Sequence, residues 1–159
     1  MNYLLDTRVL LWTLVDPDRV PGPMRRTIED TRNRVWFSAA SLWEIAIKHS
    51  LGKRDFPVEP TMIWKAARET GFEELAVTAE HSVGVDTLPW LHRDPFDRLR
   101  VSQARAAGMQ LLSLDTDVNA YFSPGKRRRE GSGQNPFRHR RNRLPQLLYL
   151  PALRRWHGE

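Results

Sequence analysis

The sequence of 159 residues predicts an α/β sandwich with a mostly parallel central sheet. Two observations support this prediction. Short apolar runs of strand length alternate along the chain with segments whose apolar residues recur at helical spacing. The chain also contains no internal repeat, which excludes a repeat architecture.

The predicted elements alternate from one end of this region to the other. The predicted strands are residues 2–5, 35–38, 74–77 and 111–114. The predicted helices are residues 9–15, 24–33, 41–51, 61–69, 78–85, 95–107 and 117–122.

Local signals in the first half mark where the helices begin and end. Asp16-Pro17 is expected to stop the first helix, because the residue before a proline avoids the helical conformation. Ser41 followed three residues later by Glu44 is a capping-box signature, which predicts the start of the third helix. Gly52 is expected to end that helix.

The second half contains the clearest helix of the chain. Asp94 suits the N-cap position, Pro95 the first helical position and Asp97 the third. Gly108 is expected to stop this helix, and Thr78 is expected to cap the shorter helix before it.

The charge of the chain is divided very unevenly along its length. The formal net charge is +6, from 25 basic and 19 acidic residues. Residues 1–123 contain 15 basic and 17 acidic residues, whereas residues 124–159 contain 10 basic and 2 acidic residues. The sequence therefore predicts a folded domain over residues 1–123 and an irregular, weakly structured basic tail over residues 124–159.

Several classes of protein are excluded by composition and motif. The chain has no cysteine, which excludes disulfides and thiolate metal sites. No apolar run approaches the roughly 20 residues that span a bilayer, and the start of the chain does not resemble a signal peptide, so a cytoplasmic location without membrane contact is expected. Glycine-rich nucleotide motifs and a Ser-His-Asp signature are also missing from the sequence.

Four carboxylates are expected to meet at one edge of the predicted sheet. Asp6 and Asp115 end the first and last strands, and Glu44 and Asp97 are expected in the first turns of two helices. Two such charges about 5 Å apart repel by roughly 3 kcal/mol at an effective dielectric constant of about 20. A divalent cation would remove this cost, and oxygen ligands favour Mg²⁺ or Mn²⁺. The residues therefore predict metal-assisted hydrolysis of phosphodiesters.

Three of the carboxylates also have a purely structural interpretation. Taken alone, Glu44 is better explained by the capping box with Ser41, and Asp97 by its position three residues after Asp94. Asp115 would suit the N-cap of the last helix. These interpretations are compatible with a metal site, because a helix N-terminus favours the ionised carboxylate that a metal needs.

Four segments make the chain resemble a known family. They are YLLDTRVLLW at residues 3–12, SAASLWEIAIKHSLGK at 38–53, LPWLHRDPFDRLRVSQA at 88–104 and LLSLDTDVNAY at 111–121. In this order they resemble the PIN-domain family, and most of all the VapC-type toxins of bacterial toxin–antitoxin pairs. The resemblance covers residues 1 to about 122.

The resemblance implies a three-layer α/β/α fold and a Mg²⁺-dependent endoribonuclease, with Mn²⁺ as an alternative ion. Asp6 and Asp97 match the principal metal ligands, and Glu44 and Asp115 match the supporting ones. It also implies an RNA substrate, inhibition by a small cognate antitoxin, and a homodimer.

Two arginines depart from the family pattern and support alternatives. Arg8 stands where histidine is frequent, and is expected either to pair with a site carboxylate or to hold RNA phosphate. Arg100 stands where the family usually has an aliphatic residue, and is expected beside the apolar stripe of its helix, where it would cost stability unless its side chain extends outward. One alternative function is therefore a catalytically impaired protein that binds only antitoxin or RNA. Another is a metal-dependent DNA nuclease.

Overall fold

The computed structural model describes residues 1–54, 56 and 58–123. The predicted basic tail lies outside the described residues, so its separation from the domain stays a prediction.

A four-stranded parallel sheet forms the centre of the described part of the chain. Its strands are β1 (Asn2–Leu5), β2 (Arg34–Ser38), β3 (Glu73–Leu75) and β4 (Gln110–Leu112), in the order β3-β2-β1-β4. Leu4 of β1 lies opposite Trp36 of β2 on one side and Leu111 of β4 on the other. The first strand of the chain is therefore central, and the helices that follow it cover both faces of the sheet.

The helices of the described residues match the predicted ones within a few residues. They are α1 (Thr7–Val15), α2 (Gly22–Glu29), α3 (Ala39–Ser50), α4 (Pro60–Glu69), α5 (Ala79–Gly84), α6 (Pro95–Ala106) and α7 (Thr116–Ala120). Short 3₁₀ turns follow α1 and α5. None of these helices is long and apolar enough to cross a membrane.

Two hydrophobic clusters, one on each face of the sheet, make up the core. Successive residues of a strand point to opposite faces, so Leu5 and Leu4 enter different clusters. The Leu5 cluster includes Ile45 of α3 and Ile63 of α4, whereas the Leu4 cluster includes Val101 of α6. The helices thus form layers above and below the sheet, which confirms the predicted three-layer α/β/α fold.

The start of α3 differs from the prediction. Ser38, the last residue of β2, is the N-cap, and its side chain accepts a hydrogen bond from the backbone N–H of Ala40. Ser41 lies within the helix and is buried, so it forms no capping box with Glu44. The prediction that Glu44 lies in the first turn is wrong, because the strand passes directly into the helix and the helix starts two residues before Ser41.

The start of α6 and the end of β4 determine the positions of Asp97 and Asp115. Asp94 caps α6 and Pro95 begins it, as predicted, which places Asp97 at the third helical position. β4 ends at Leu112 rather than at residue 114, so Asp115 follows two non-strand residues and caps α7. Asp115 therefore reaches the edge of the sheet from a helix cap and not from the end of the strand itself.

Candidate active site

One cavity of about 710 Å³ lies at the carboxyl ends of the central strands. The four predicted carboxylates line it together: Asp6, Glu44, Asp97 and Asp115. They come from four segments of the chain that the parallel topology brings to one edge of the sheet.

Asp6 connects the central strand to the first helix. Its Oδ1 accepts a hydrogen bond from the backbone N–H of Val9 at 2.8 Å, so the side chain caps α1. Its own backbone N–H donates to the carbonyl of Leu112 at 3.0 Å, which ties this residue to the end of β4. The fold around it leaves only 7% of the residue exposed. No described residue hydrogen-bonds to its Oδ2.

Arg100 occupies the space between two of the carboxylates. Its Nη1 donates to Glu44 Oε2 at 2.7 Å and to Thr7 Oγ1 at 2.7 Å, and its Nη2 donates to Asp97 Oδ1. Only 2% of Arg100 is exposed. Burial acts most strongly and lowers its pKa, but Glu44 and Asp97 outweigh burial, so the pKa of Arg100 lies above its ordinary value.

The side chain of Arg100 therefore does not extend outward to solvent. The side chain stays inside because it forms ion pairs there with the carboxylates of Glu44 and Asp97. An interior lined only by aliphatic side chains would contain no such partner. Arg8, for which the sequence predicts pairing with a site carboxylate or binding of phosphate, is exposed at the rim of the cavity. It forms no ion pair with a described carboxylate, and its binding of phosphate stays a prediction.

Glu44 is saturated by cationic and hydroxyl donors. Thr7 Oγ1 donates to Oε2 at 2.6 Å, beside the bond from Arg100, and Lys48 Nζ pairs with Oε1. Burial is the largest influence and raises the pKa of Glu44, but Arg100, Lys48 and Thr7 together outweigh it. The pKa consequently lies below its usual value, and Glu44 is ionised at neutral pH.

Asp97 has the opposite balance. Burial raises its pKa, and the opposing charge of Arg100 is not enough to reverse this effect. Asp94 adds to the rise because its like charge lies close by. The pKa of Asp97 therefore lies above the ordinary value of an aspartate.

His92 lies between Asp97 and Asp115. Its Nδ1 accepts a hydrogen bond from the backbone N–H of Asp94 at 3.1 Å, which leaves the proton of a neutral ring on Nε2. Nε2 then donates to Asp115 Oδ2 at 3.3 Å, while Nδ1 lies 3.4 Å from Asp97 Oδ2. The sequence does not predict this role, and the one signal for it is the closeness of His92 to Asp94 along the chain.

The hydrogen bonds and the pKa of Asp115 depend on His92 and on the start of α7. Its Oδ1 accepts from the backbone N–H groups of Asp117 and Val118 at 2.8 and 3.3 Å. Burial acts to raise its pKa, but these two hydrogen bonds and His92 outweigh burial and lower it. The loop that carries His92 is held by Tyr121, whose hydroxyl accepts from the backbone N–H of His92 at 3.1 Å.

The comparison with protein families decides the identity of this fold. A model of the family described as "PIN domain" matches residues 3–121. This chain belongs to the PIN domain family. The family resemblance predicted from the four sequence segments is thereby confirmed.

The solved structures include a similar fold. A chain in the crystal structure of VapBC2 from Rickettsia felis, bound to a DNA fragment from their promoter, matches with a TM-score of 0.57. The two chains are 16% identical, and the match covers 76% of this chain and 93% of the other. At that identity the likeness concerns the fold alone. A comparison with curated proteins found no match.

Basic and aromatic side chains surround the carboxylates of this PIN domain. Arg8, Arg19 and Lys53 are exposed and line the same cavity as the acidic residues. Arg19 lies over the ring of Trp12 at 4.3 Å, and Lys48 over the ring of Phe56 at 4.5 Å. The cavity thus has an acidic floor and a basic, partly aromatic rim. A basic rim is suited to contact a polyanion, and an acidic floor is suited to contact a cation.

PIN domains are generally nucleases that use divalent metals, so the fit of these residues to a metal is a physical question. The donors are all oxygen atoms apart from His92, which suits a hard cation. Asp6, Asp97 and Asp115 carry donor oxygens of the right chemistry, and Asp6 Oδ2 accepts no hydrogen bond from a described residue. Both oxygens of Glu44 are already bonded to cations. Among the described residues, with Arg100 between Glu44 and Asp97, no three His, Asp or Glu side chains form a group that could hold a metal. The donor atoms therefore suit a hard cation, but their positions in this structure do not form its site.

Proposed function

We propose that this PIN domain is a metal-dependent endoribonuclease and the toxin of a toxin–antitoxin pair. The observation that carries the proposal is the meeting of Asp6, Glu44, Asp97 and Asp115 in one cavity whose rim is basic. An acidic floor suits a divalent cation, and a basic rim suits the phosphates of a nucleic-acid backbone.

Asp6, Asp97 and Asp115 are the proposed metal ligands. Glu44 is proposed to support the site without contacting the metal directly. Mg²⁺ or Mn²⁺ held by these residues would lower the pKa of a bound water and would neutralise charge on the phosphodiester. Thr7 and Arg100 orient Glu44, and the Nε2 proton of His92 orients Asp115. No side chain is required as a covalent nucleophile, because the proposed attack on phosphorus is made by water.

The basic residues at the rim of the cavity are proposed to bind the substrate. Arg8 and Lys53 are exposed beside the carboxylates, and we propose that they bind the phosphates flanking the cleaved bond. Because the phosphates of RNA and DNA are chemically the same, these contacts would hold RNA and DNA alike. The preference for RNA therefore has to come from contacts to the 2′-hydroxyl or to unpaired bases.

The proposed partners follow from the family and from the fold of its relative. The structurally similar chain belongs to a VapBC2 complex, and we propose that a small antitoxin binds this chain and covers the acidic cavity. Homodimer formation and action on cytoplasmic RNA are parts of the same proposal.

Arg100 favours a second candidate function. Its charge satisfies Glu44 and Asp97 in the absence of any metal, so the carboxylates are stable without one. In this alternative the chain binds antitoxin or RNA without cleaving it.

RNA cleavage by the purified full chain tests the proposal. The chain should cleave RNA in Mg²⁺ or Mn²⁺, EDTA should stop cleavage, and Asp6→Asn should slow it at least about 100-fold, the usual scale for losing one electrostatic contact to a reacting centre. DNA of matching sequence should be cleaved more slowly than RNA.

Asp86→Asn is the matched control, because Asp86 is an exposed carboxylate that does not line the cavity. This variant should cleave RNA at the rate of the unaltered chain. Equal cleavage by Asp6→Asn and the unaltered chain would show that the activity does not come from this site. RNA binding without cleavage under every metal condition would favour the second candidate.

A further inference from the structure

Helix α6 carries two buried arginines with very different surroundings. Arg98 donates to neutral backbone carbonyls, those of Pro89 and Val85 at 3.0 Å each. Arg100 donates to the carboxylates of Glu44 and Asp97. The first arginine fastens a connecting loop to the helix, whereas the second lies within the acidic cavity.

The guanidinium of Arg100 links three elements across the floor of the cavity. It binds Glu44 of α3 and Thr7 of α1 through one nitrogen, and Asp97 of its own helix through another. Its planar fork can hold two carboxylates at once, which a single ammonium group cannot do with the same geometry. Its buried Nε has no hydrogen-bond partner, so its carboxylate bonds all come from the two terminal nitrogens.

We propose that Arg100 is an internal counter-cation, which replaces part of the charge of a divalent ion and weakens the binding of that ion. The guanidinium keeps Glu44 and Asp97 in place when no metal is bound. A metal that enters beside it meets a fixed positive charge and an Asp97 whose Oδ1 is already engaged.

The four site carboxylates and the two cations that bond to them directly show the direction of this influence. The four carboxylates contribute four negative charges, and Arg100 and Lys48, which form ion pairs with them, contribute two positive ones. With a neutral His92, two negative charges remain, which one divalent ion balances and two would exceed. Removing the charge of Arg100 leaves three negative charges, so binding of a divalent ion should become tighter.

Arg100 cannot leave the site or lose its charge cheaply. Its side chain is 3% exposed, and a guanidinium remains protonated in proteins. Expelling it would take the guanidinium partner from the buried carboxylates of Glu44 and Asp97 and leave Glu44 with only Lys48 and Thr7, which is costly for ionised groups. The metal therefore has to bind in the presence of Arg100, and the competition is built into the fold.

This inference rests on the proposed function only in treating the carboxylates as a metal site, and its test does not depend on cleavage. Mn²⁺ is titrated into the full chain and into Arg100→Leu by calorimetry, and thermal unfolding is followed by circular dichroism with EDTA or Mn²⁺. Arg68→Leu is the matched control, because Arg68 is an exposed helical arginine that does not line the cavity.

Arg100→Leu should bind Mn²⁺ at least about ten-fold more tightly than the unaltered chain, which corresponds to about 1.4 kcal/mol. Its melting temperature should fall in EDTA and recover with Mn²⁺, whereas that of the unaltered chain should respond much less. Arg68→Leu should bind Mn²⁺ like the unaltered chain. Equal or weaker binding by a folded Arg100→Leu would overturn the proposal.

A milder variant covers the case in which Arg100→Leu does not fold in EDTA. Arg100→Gln removes the charge but keeps a hydrogen-bond donor, and its Mn²⁺ affinity decides the proposal in the same way. Tighter Mn²⁺ binding together with absent RNA cleavage would overturn the proposed function and leave this inference standing. Cleavage by the unaltered chain with unchanged affinity in both Arg100 variants would do the reverse.

Discussion

Glu44 is held by side chains from three helices. Thr7 of α1 and Arg100 of α6 bind one of its oxygens, and Lys48 of its own helix binds the other. Only 4% of the residue is exposed, so these donors replace nearly all of its hydration. A buried carboxylate with this many partners contributes stability only while it is ionised.

The stability of the protein should therefore depend on the ionisation of Glu44 in acid. Its pKa is lower in the folded chain than the ordinary value of 4.5, so its contribution is complete above that pH and is lost as the pH falls through the lower folded value. Glu44→Gln should cost about 3 kcal/mol at neutral pH, the low end for a buried ion pair broken from one side, because Arg100 keeps Asp97.

Urea unfolding of both chains between pH 7 and the acid limit measures this effect, and the difference between them should shrink as the pH falls below 4.5. Asp97 works in the opposite direction because burial raises its pKa. It is present in both chains, so it enters the difference only as far as its bond to Arg100 changes when Glu44 is replaced. Glu69→Gln, at an exposed position, should change stability by no more than about 0.5 kcal/mol. A pH-independent cost for Glu44→Gln would contradict the assigned pKa direction.

The sequence could predict that these carboxylates meet but not what lies between them. Asp6 follows an apolar run, and Asp97 follows a helix start with Asp94 as its cap and Pro95 as its first residue. Both signals are local. The bond from Arg100 to Glu44 joins residues 56 positions apart, and helical spacing places Arg100 on a face without revealing its partner. His92 escapes prediction for the same reason, because its contact with Asp115 spans 23 positions.

At the scale of an element, α6 shows how local signals succeed. Asp94 accepts hydrogen bonds from the backbone N–H groups of Phe96 and Asp97 at 2.8 and 3.3 Å. Pro95 needs no donor at the first helical position, and Gly108 adopts a φ of 62° after the helix end. These residues act through their immediate neighbours, so the predicted bounds lie within one residue of the observed ones.

The cap of α6 gives a test at this scale. Asp94→Ala should lower the free energy of unfolding by about 1 kcal/mol, because two backbone N–H groups lose their acceptor. Asp94→Asn keeps an acceptor oxygen and removes only the charge, so most of the stability should remain. Urea unfolding at neutral pH measures both variants, and equal losses would mean that charge rather than capping holds this helix start.

α3 shows how a local signal can mislead. Ser41 and Glu44 have the spacing of a capping box, yet Ser38 caps the helix. Ser38 is the last residue of a buried strand, and its Oγ also donates to Gln103 Oε1 of α6 at 2.6 Å. Pairing of β2 in the sheet therefore decides where this helix starts, and a capping pattern cannot contain that information.

At the scale of the whole molecule, the apolar pattern is the most informative part of the sequence. Neighbouring residues such as Leu4 and Leu5 enter the clusters on opposite faces of the sheet, which requires helices on both sides. The same parallel topology places all four segments that carry a site carboxylate at one edge. Fold and site position therefore have a common cause, whereas the ion pairs within the site depend on distant side chains.

The division of charge along the chain gives the last prediction. Residues 1–123 carry the acidic site and two more acidic than basic residues, and the ten basic residues of 124–159 are predicted to bind nucleic acid without specificity. Deleting 124–159 should weaken RNA binding in low salt and flatten its salt dependence, by about 0.7 in the log–log slope for each phosphate that the shortened chain no longer neutralises. Affinity for a labelled single-stranded RNA, measured over a range of KCl concentrations, provides both quantities.

The control for this deletion is a full-length chain in which the four basic residues at 126–129 are replaced by serine. It should lose part of the salt slope, since its remaining six basic residues in 124–159 still neutralise phosphates. Mn²⁺ affinity should be the same in all three chains, because the proposed ligands Asp6, Asp97 and Asp115 all lie before residue 124. If the deletion abolished Mn²⁺ binding, the tail would be part of the metal site, and the boundary at residue 123 would be wrong.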